Sequence, residues 1–315
     1  MMKMLPLDIR ATLTTKPPVL DFVLPGLTAG SVGTIVGSGG VGKTTLLMQL
    51  GAALATGSPA FGNLITQNSY GPARVVLIAA EESPDILRIR LHAIKKWMDS
   101  QPEKSSSSTV AAGSDFTTLL EKNLLLVPAA GQSVALVNNG ATTEFFKTLC
   151  KFCAGARLII IDPLRRLHDG DENSSSSMTH IVQVLEALAR HTGAAVIAAH
   201  HVSKASMFNA VTDSAAASRG SSALTDAVRW QANLSGMSEA VARKHRLSGQ
   251  HKSYACLDFS KANYIAPEPP MWLKRLEGGV LTRTLLKEAS AATRQGGQES
   301  NIAGTRATKE RIYDW

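Results

Sequence analysis

Residues 37–44 read Gly-Ser-Gly-Gly-Val-Gly-Lys-Thr, a complete G-x-x-x-x-G-K-[ST] loop between an apolar stretch at 32–36 and a helix-patterned stretch at 44–54. A strand, a glycine loop and a helix in that order commit the chain to layered α/β packing, because such a loop works at the amino end of a helix that follows a sheet strand. Glycines let the main chain close around a phosphate without Cβ clashes, so that consecutive N–H groups point inward. Lys43 is expected to reach the β- and γ-phosphates, and the Thr44 hydroxyl to hold Mg²⁺. The cradle is assigned to Ser38, Gly39, Gly40, Val41, Gly42, Lys43, Thr44 and Thr45, and its ligands to a nucleoside triphosphate and Mg²⁺.

From residue 30 onward strand-like and helix-like stretches alternate, which predicts a mostly parallel sheet with helices on both faces. Strands are expected at 32–36, 74–79, 124–127, 157–162 and 194–199, with helices at 44–54, 84–98, 142–154 and 178–191. After residue 201 a short helix at 221–227 precedes strand-like pieces at 228–234, 254–259, 272–276 and 280–283, an antiparallel extension of the sheet. The division expected is an N-terminal arm at 1–28, kept irregular by Pro6, Pro17, Pro18 and Pro25, a core at 29–286, and a disordered tail at 287–315. Serine-rich stretches at 101–114 and 170–177 read as loops, the second capping the helix from 178.

Several strand ends carry groups suited to phosphate chemistry. The run 157–162 is apolar and ends in Asp162, which after an upstream phosphate loop is the expected second Mg²⁺ ligand. The run 75–80 ends in Glu81-Glu82; a carboxylate there can orient and deprotonate an attacking water, and Glu81 is favoured because Glu82 opens the next loop. Residues 196–201 end in His200-His201, placed to touch the γ-phosphate and pass its loss to the following loop. Strand alternation lets only one of the two face the nucleotide, and the preference is His201. The small-residue loop 203–218 is flanked by Lys204 and Arg219, both candidates for a DNA phosphate backbone.

Composition excludes other classes. In 315 residues, 44% hydrophobic and 18% charged is an ordinary globular balance, and a net charge of +8 suits a polyanionic partner. No apolar run reaches membrane-spanning length and no signal pattern is visible, so the expected location is cytoplasmic, without a membrane partner. Cys150 and Cys153 form a C-x-x-C pair, but no second ligand pair completes a zinc site, and both are read as buried thiols on one helix.

Together these residues resemble the RepA-type replicative helicases of broad-host-range plasmids, within the RecA/DnaB-type hexameric ATPases. The resemblance extends to the stretches 17–25, 162–168, 218–224, 228–231 and 260–264, and so covers the chain from about 17 to 283. It implies a RecA-like core, a ring of six subunits with ATP between neighbours, and single-stranded DNA moved 5′ to 3′ through the channel. It further implies a plasmid primase and an origin-binding protein as partners. On that pattern Arg229 looks like the arginine finger entering a neighbour's site, with Arg219 the second candidate, and Arg275 and Lys261 also face a neighbouring nucleotide. The alternative is a RecA-fold DNA-binding ATPase that acts in recombination or regulation without unwinding.

Overall fold

The computed structural model describes residues 5–58, 71–100, 115–202 and 222–286. The chain opens with α1 (Ile9–Thr14), β1 (Phe22–Leu24), β2 (Leu27–Thr28), β3 (Val32–Gly37), α2 (Lys43–Thr56), β4 (Val75–Ala79) and α3 (Pro84–Asp99). It continues through α4 (Phe116–Asn123), β5 (Leu124–Pro128), β6 (Val137–Asn138), β7 (Ala141–Thr142), α5 (Glu144–Phe152), β8 (Leu158–Asp162), α6 (Ser175–Thr192) and β9 (Ala195–His201). A helix at Ser222–Ala227 leads to β10 (Trp230–Gly236); a helix at Glu239–Lys244 leads to β11 (Tyr254–Ala262), β12 (Met271–Arg275) and β13 (Leu281–Arg283).

Nine strands form one sheet in the order β13-β12-β11-β10-β3-β9-β8-β4-β5. The six from β10 to β5 are mutually parallel, and β11 to β13 extend the sheet antiparallel, as the sequence pattern predicts. The central strands read as continuous apolar runs because helices cover both faces. Their side chains alternate: Leu158 and Ile160 pack with α2 and α3, whereas Ile159 and Ile161 pack with α5 and α6.

Helix starts follow their caps. The Ser83 hydroxyl accepts from the Ile86 N–H ahead of Pro84, and Thr143 does the same for Phe146 at α5. Helix α6 begins three residues before the expected 178, because the Ser174 hydroxyl accepts from the Ser177 N–H and draws the serine run into the first turn. The arm is more regular than its prolines suggest: Asp8 caps α1, and β1–β2 is a hairpin whose Val23, Leu24 and Leu27 join the core. Asp21 pairs with Arg157 at the start of β8, and the buried Trp230 indole donates to the Pro25 carbonyl at 2.9 Å. Gly33 permits that contact, since a Cβ there would lie 2.6 Å from the indole.

Cys150 lies within α5 and Cys153 is buried just past its end, where burial pushes the thiol up to about 12. That is the chemistry of an inert core thiol. Among the described residues no helix is long and apolar enough to cross a membrane. The stretches 101–114, 203–218 and 287–315, with Lys204 and Arg219, lie outside the described residues.

Candidate nucleotide site

The phosphate loop spans the gap between β3 and α2. Gly40 (φ 75°) and Gly42 (φ 106°) take left-handed backbone that side chains resist, and Gly42 directly precedes the helix. The first N–H groups of α2 have no acceptor within the helix and carry its positive dipole end. Val41 anchors the loop in the core, while Lys43 and Thr45 are 4% and 5% exposed.

The Lys43 ammonium donates to the carbonyls of Gly37 (2.7 Å) and Ser38 (3.1 Å) and to Nδ1 of His201 (3.1 Å). Burial pulls its pKa down to about 8, while Asp162 and Glu81 act the other way, so it stays charged at neutral pH. The Thr44 hydroxyl donates to Asp162 Oδ2 at 2.5 Å. Burial pushes the Asp162 carboxyl up, opposed by the Thr44 hydroxyl and the Lys43 ammonium.

β3, β9, β8 and β4 are neighbours in the sheet, so their carboxyl ends bring Lys43, His201, Asp162 and Glu81 to one place. Together with Glu82 they line a cleft of about 410 Å³, within the usual range for a small-molecule site. The residues fit a magnesium triphosphate. Mg²⁺ takes one or two carboxylates and completes its shell with waters and phosphate oxygens, which asks for Thr44 and Asp162 rather than a protein cage. Among the described residues no cluster of His, Cys, Asp or Glu suited to holding a metal alone is present.

The two carboxylates after β4 have different partners. Glu82 accepts from Arg90 of α3 at 2.6 Å and is about a quarter exposed. Glu81 is more open and accepts from Nε of Arg166 at 3.0 Å. The two imidazoles also part. His201 faces Lys43, whereas His200 is buried on the opposite face, its Nδ1 3.7 Å from Glu172, and burial takes its pKa down to about 4.

Other residues lie elsewhere. Arg229 is exposed, between buried Val228 and Trp230, and does not line the chain's own cleft. Lys261 donates to the carbonyls of Thr225 and Asp226 at 2.7 and 3.2 Å. Arg275 lies on the chain's own phosphate loop, donating to the Val41 carbonyl at 2.7 Å, with the Gly278-Gly279 turn beside it. The buried Gln49 side chain holds this hairpin down by exchanging two 2.9 Å hydrogen bonds with the Leu281 backbone. Arg90 and the Gly278-Gly279 turn are cleft residues that the motifs miss. The glycine pair after Glu277 is a turn signal, while nothing local marks Arg90.

A family model described as an AAA domain matches residues 2–207. Among solved structures, the ATPase domain of G40P superposes with a TM-score of 0.50 at 17% identity, over 82% of this chain and 86% of that one. The RadB recombinase superposes with a TM-score of 0.48 at 14% identity, over 82% of this chain and 93% of that one.

Proposed function

The chain belongs to the AAA-domain family and has the RecA-like fold, and from that premise we propose that it is an ATP-driven, ring-forming DNA helicase of the RepA type, serving plasmid replication. The observation that carries this reading is the convergence of Lys43, Thr44, Asp162, Glu81 and His201 at four adjacent strand ends. In this assignment the loop N–H groups and Lys43 bind the β- and γ-phosphates of ATP, while Thr44 and Asp162 hold Mg²⁺, which neutralises charge on the phosphates. Glu81 takes a proton from the attacking water. His201, hydrogen-bonded to Lys43 at the end of β9, senses the γ-phosphate. Lys204 and Arg219 meet single-stranded DNA in the channel of a homohexamer that moves 5′ to 3′ and works with a primase and an origin-binding protein.

Strand displacement from a forked duplex tests the reading. Unwinding is expected with ATP and Mg²⁺ and none with a non-hydrolysable analogue. Hydrolysis stimulated by single strands without displacement of the duplex would instead favour an ATPase that acts on DNA without opening it.

The Glu81–Arg166 pair yields a smaller expectation. Both partners are about half exposed, so the pair is worth about 0.2–1 kcal/mol. Arg166→Ala should therefore raise DNA-independent phosphate release by at most about fivefold, because the Glu81 carboxylate loses a donor that competes with the attacking water. Glu81→Gln should lower it by about 10²- to 10⁴-fold. Steady-state phosphate release from the two variants separates a base from a bystander.

A further inference from the structure

The connection between β10 and β11 carries a cluster of positive charge that the nucleotide site does not use. From Ser238 to Ser253 it holds Arg243, Lys244, Arg246 and Lys252 against a single acid, Glu239. All four basic side chains are exposed, and among the described residues none forms an ion pair. The segment is firmly held. Met237, Ala242 and Tyr254 form a small core of their own, with Val241, Leu247, Trp272 and Leu286 packed against it. The apolar side of the helix Glu239–Lys244 therefore faces the sheet and the charges face solvent.

Its place in the fold matters. β10 runs parallel to β3 with Leu234 opposite Gly37, so this connection leaves the sheet at the same edge as the phosphate loop. Stabilisation of the helix end explains only part of the pattern. Cations in a last turn contribute about 0.3–1 kcal/mol through the helix dipole, which covers Arg243 and Lys244. It accounts for neither Lys252 nor Arg246, and Arg246 keeps a long side chain at φ 58°, where glycine would be easier.

We propose that Arg243, Lys244, Arg246 and Lys252 form a docking surface for the phosphate backbone of a polynucleotide, made of residues that do not line the nucleotide cleft. A protein partner would need a central apolar or aromatic anchor, and the segment's apolar residues are turned inward. A phosphate backbone needs only accessible charge. Contacts of this kind position a strand without reading bases, so binding here is independent of sequence. The surface does not depend on ring assembly, and a single subunit presents it.

The test is fluorescence anisotropy of labelled single-stranded and duplex oligonucleotides across a salt series. It compares the parent with Arg243→Ala/Lys244→Ala/Arg246→Ala/Lys252→Ala. With all four engaged, the log–log salt slope should shrink by about 3 on single strands or about 4 on duplex, and the arm that shows its full change identifies the form bound. Affinity at low salt should fall at least about tenfold. The pair Arg246→Ala/Lys252→Ala should give about half the slope change, which guards against a folding defect in the fourfold variant. DNA-free ATP turnover should match the parent; its loss together with DNA binding would mark a general defect and overturn the assignment. So would an unchanged slope and affinity on both DNAs, or parent binding through these residues to phosphatidylserine vesicles alone. Slope changes in both variants with no unwinding by the parent would leave this surface standing and sink only the helicase reading.

Discussion

Lys43→Ala is expected to abolish nucleotide turnover while leaving the fold intact. The ammonium sits at the amino end of α2, 4% exposed, and among the described residues its hydrogen-bond partners are the carbonyls of Gly37 and Ser38 and the His201 imidazole. It is therefore a charge held ready for an anion rather than one consumed by a structural ion pair. Removing a preorganised cation from developing phosphate charge should lower hydrolysis by about 10³-fold, with weaker triphosphate binding. Stability should move the other way. Lys43 is held near 8 against an ordinary 10.5, so the unfolded chain binds this proton more tightly than the folded one. The penalty is fully present below pH 8, roughly 3 kcal/mol, and fades as pH rises from 8 to 10.5. Alanine removes it, and the freed Asp162 can take up a proton, which its burial already favours. Phosphate release combined with thermal unfolding at pH 7 checks both halves. Parent-like hydrolysis by Lys43→Ala would exclude the assigned site, and a collapsed unfolding midpoint would show that the lysine is structural.

The phosphate loop and the strand-end acids are legible in the chain because each is a local pattern with one physical purpose. Glycine at 40 and 42 is required by positive φ, and the apolar runs before Asp162 and Glu81 mark strands buried on both faces. Strand alternation allows only one of His200 and His201 to face the cleft without saying which, and the two side chains part, His201 toward Lys43 and His200 toward the opposite face. The rest is set by distance along the chain. Arg275 meets the phosphate loop across 234 residues, and only the position of the antiparallel extension beside β10 brings it there rather than to a neighbour's site. The helices Phe116–Asn123 and Glu239–Lys244 escape periodicity analysis because they are only 8 and 6 residues long. Each is held by a few tertiary contacts, Leu120 and the Asn123 side chain against α2 in one and Ala242 beside Met237 and Tyr254 in the other. The hairpin of the arm is likewise fixed by distant partners, Arg157 and Trp230, which no local pattern announces.

Among the described residues, the arginines in or beside the chain's own cleft are already engaged. Arg90 is engaged by Glu82 and Arg166 by Glu81, while Arg275 lies on the loop carbonyl at Val41. Arg229 has the opposite character. Its backbone is fixed between two buried side chains, its carbonyl accepts from Asn263, and its side chain is exposed away from the chain's own cleft. A guanidinium held at the bend that leads into β10 yet kept from its own site suits insertion into a neighbour's. Arg229→Ala is then expected to lower hydrolysis by about 10³- to 10⁵-fold, the range of an arginine finger. Mixing distinguishes a finger from a residue that merely supports β10. In rings built head to tail, a subunit carrying Arg229→Ala keeps a complete phosphate loop, and one carrying Lys43→Ala keeps a complete finger. Equal mixtures of the two inactive proteins should place intact pairs at about one quarter of the interfaces and restore hydrolysis in proportion. Mixtures that stay as inactive as their components, after exchange between rings is verified by energy transfer, would remove Arg229 from the shared site. Full activity of Arg229→Ala alone would do so at once. The Arg219 alternative is decided by the same mixing, with Arg219→Ala in place of Arg229→Ala.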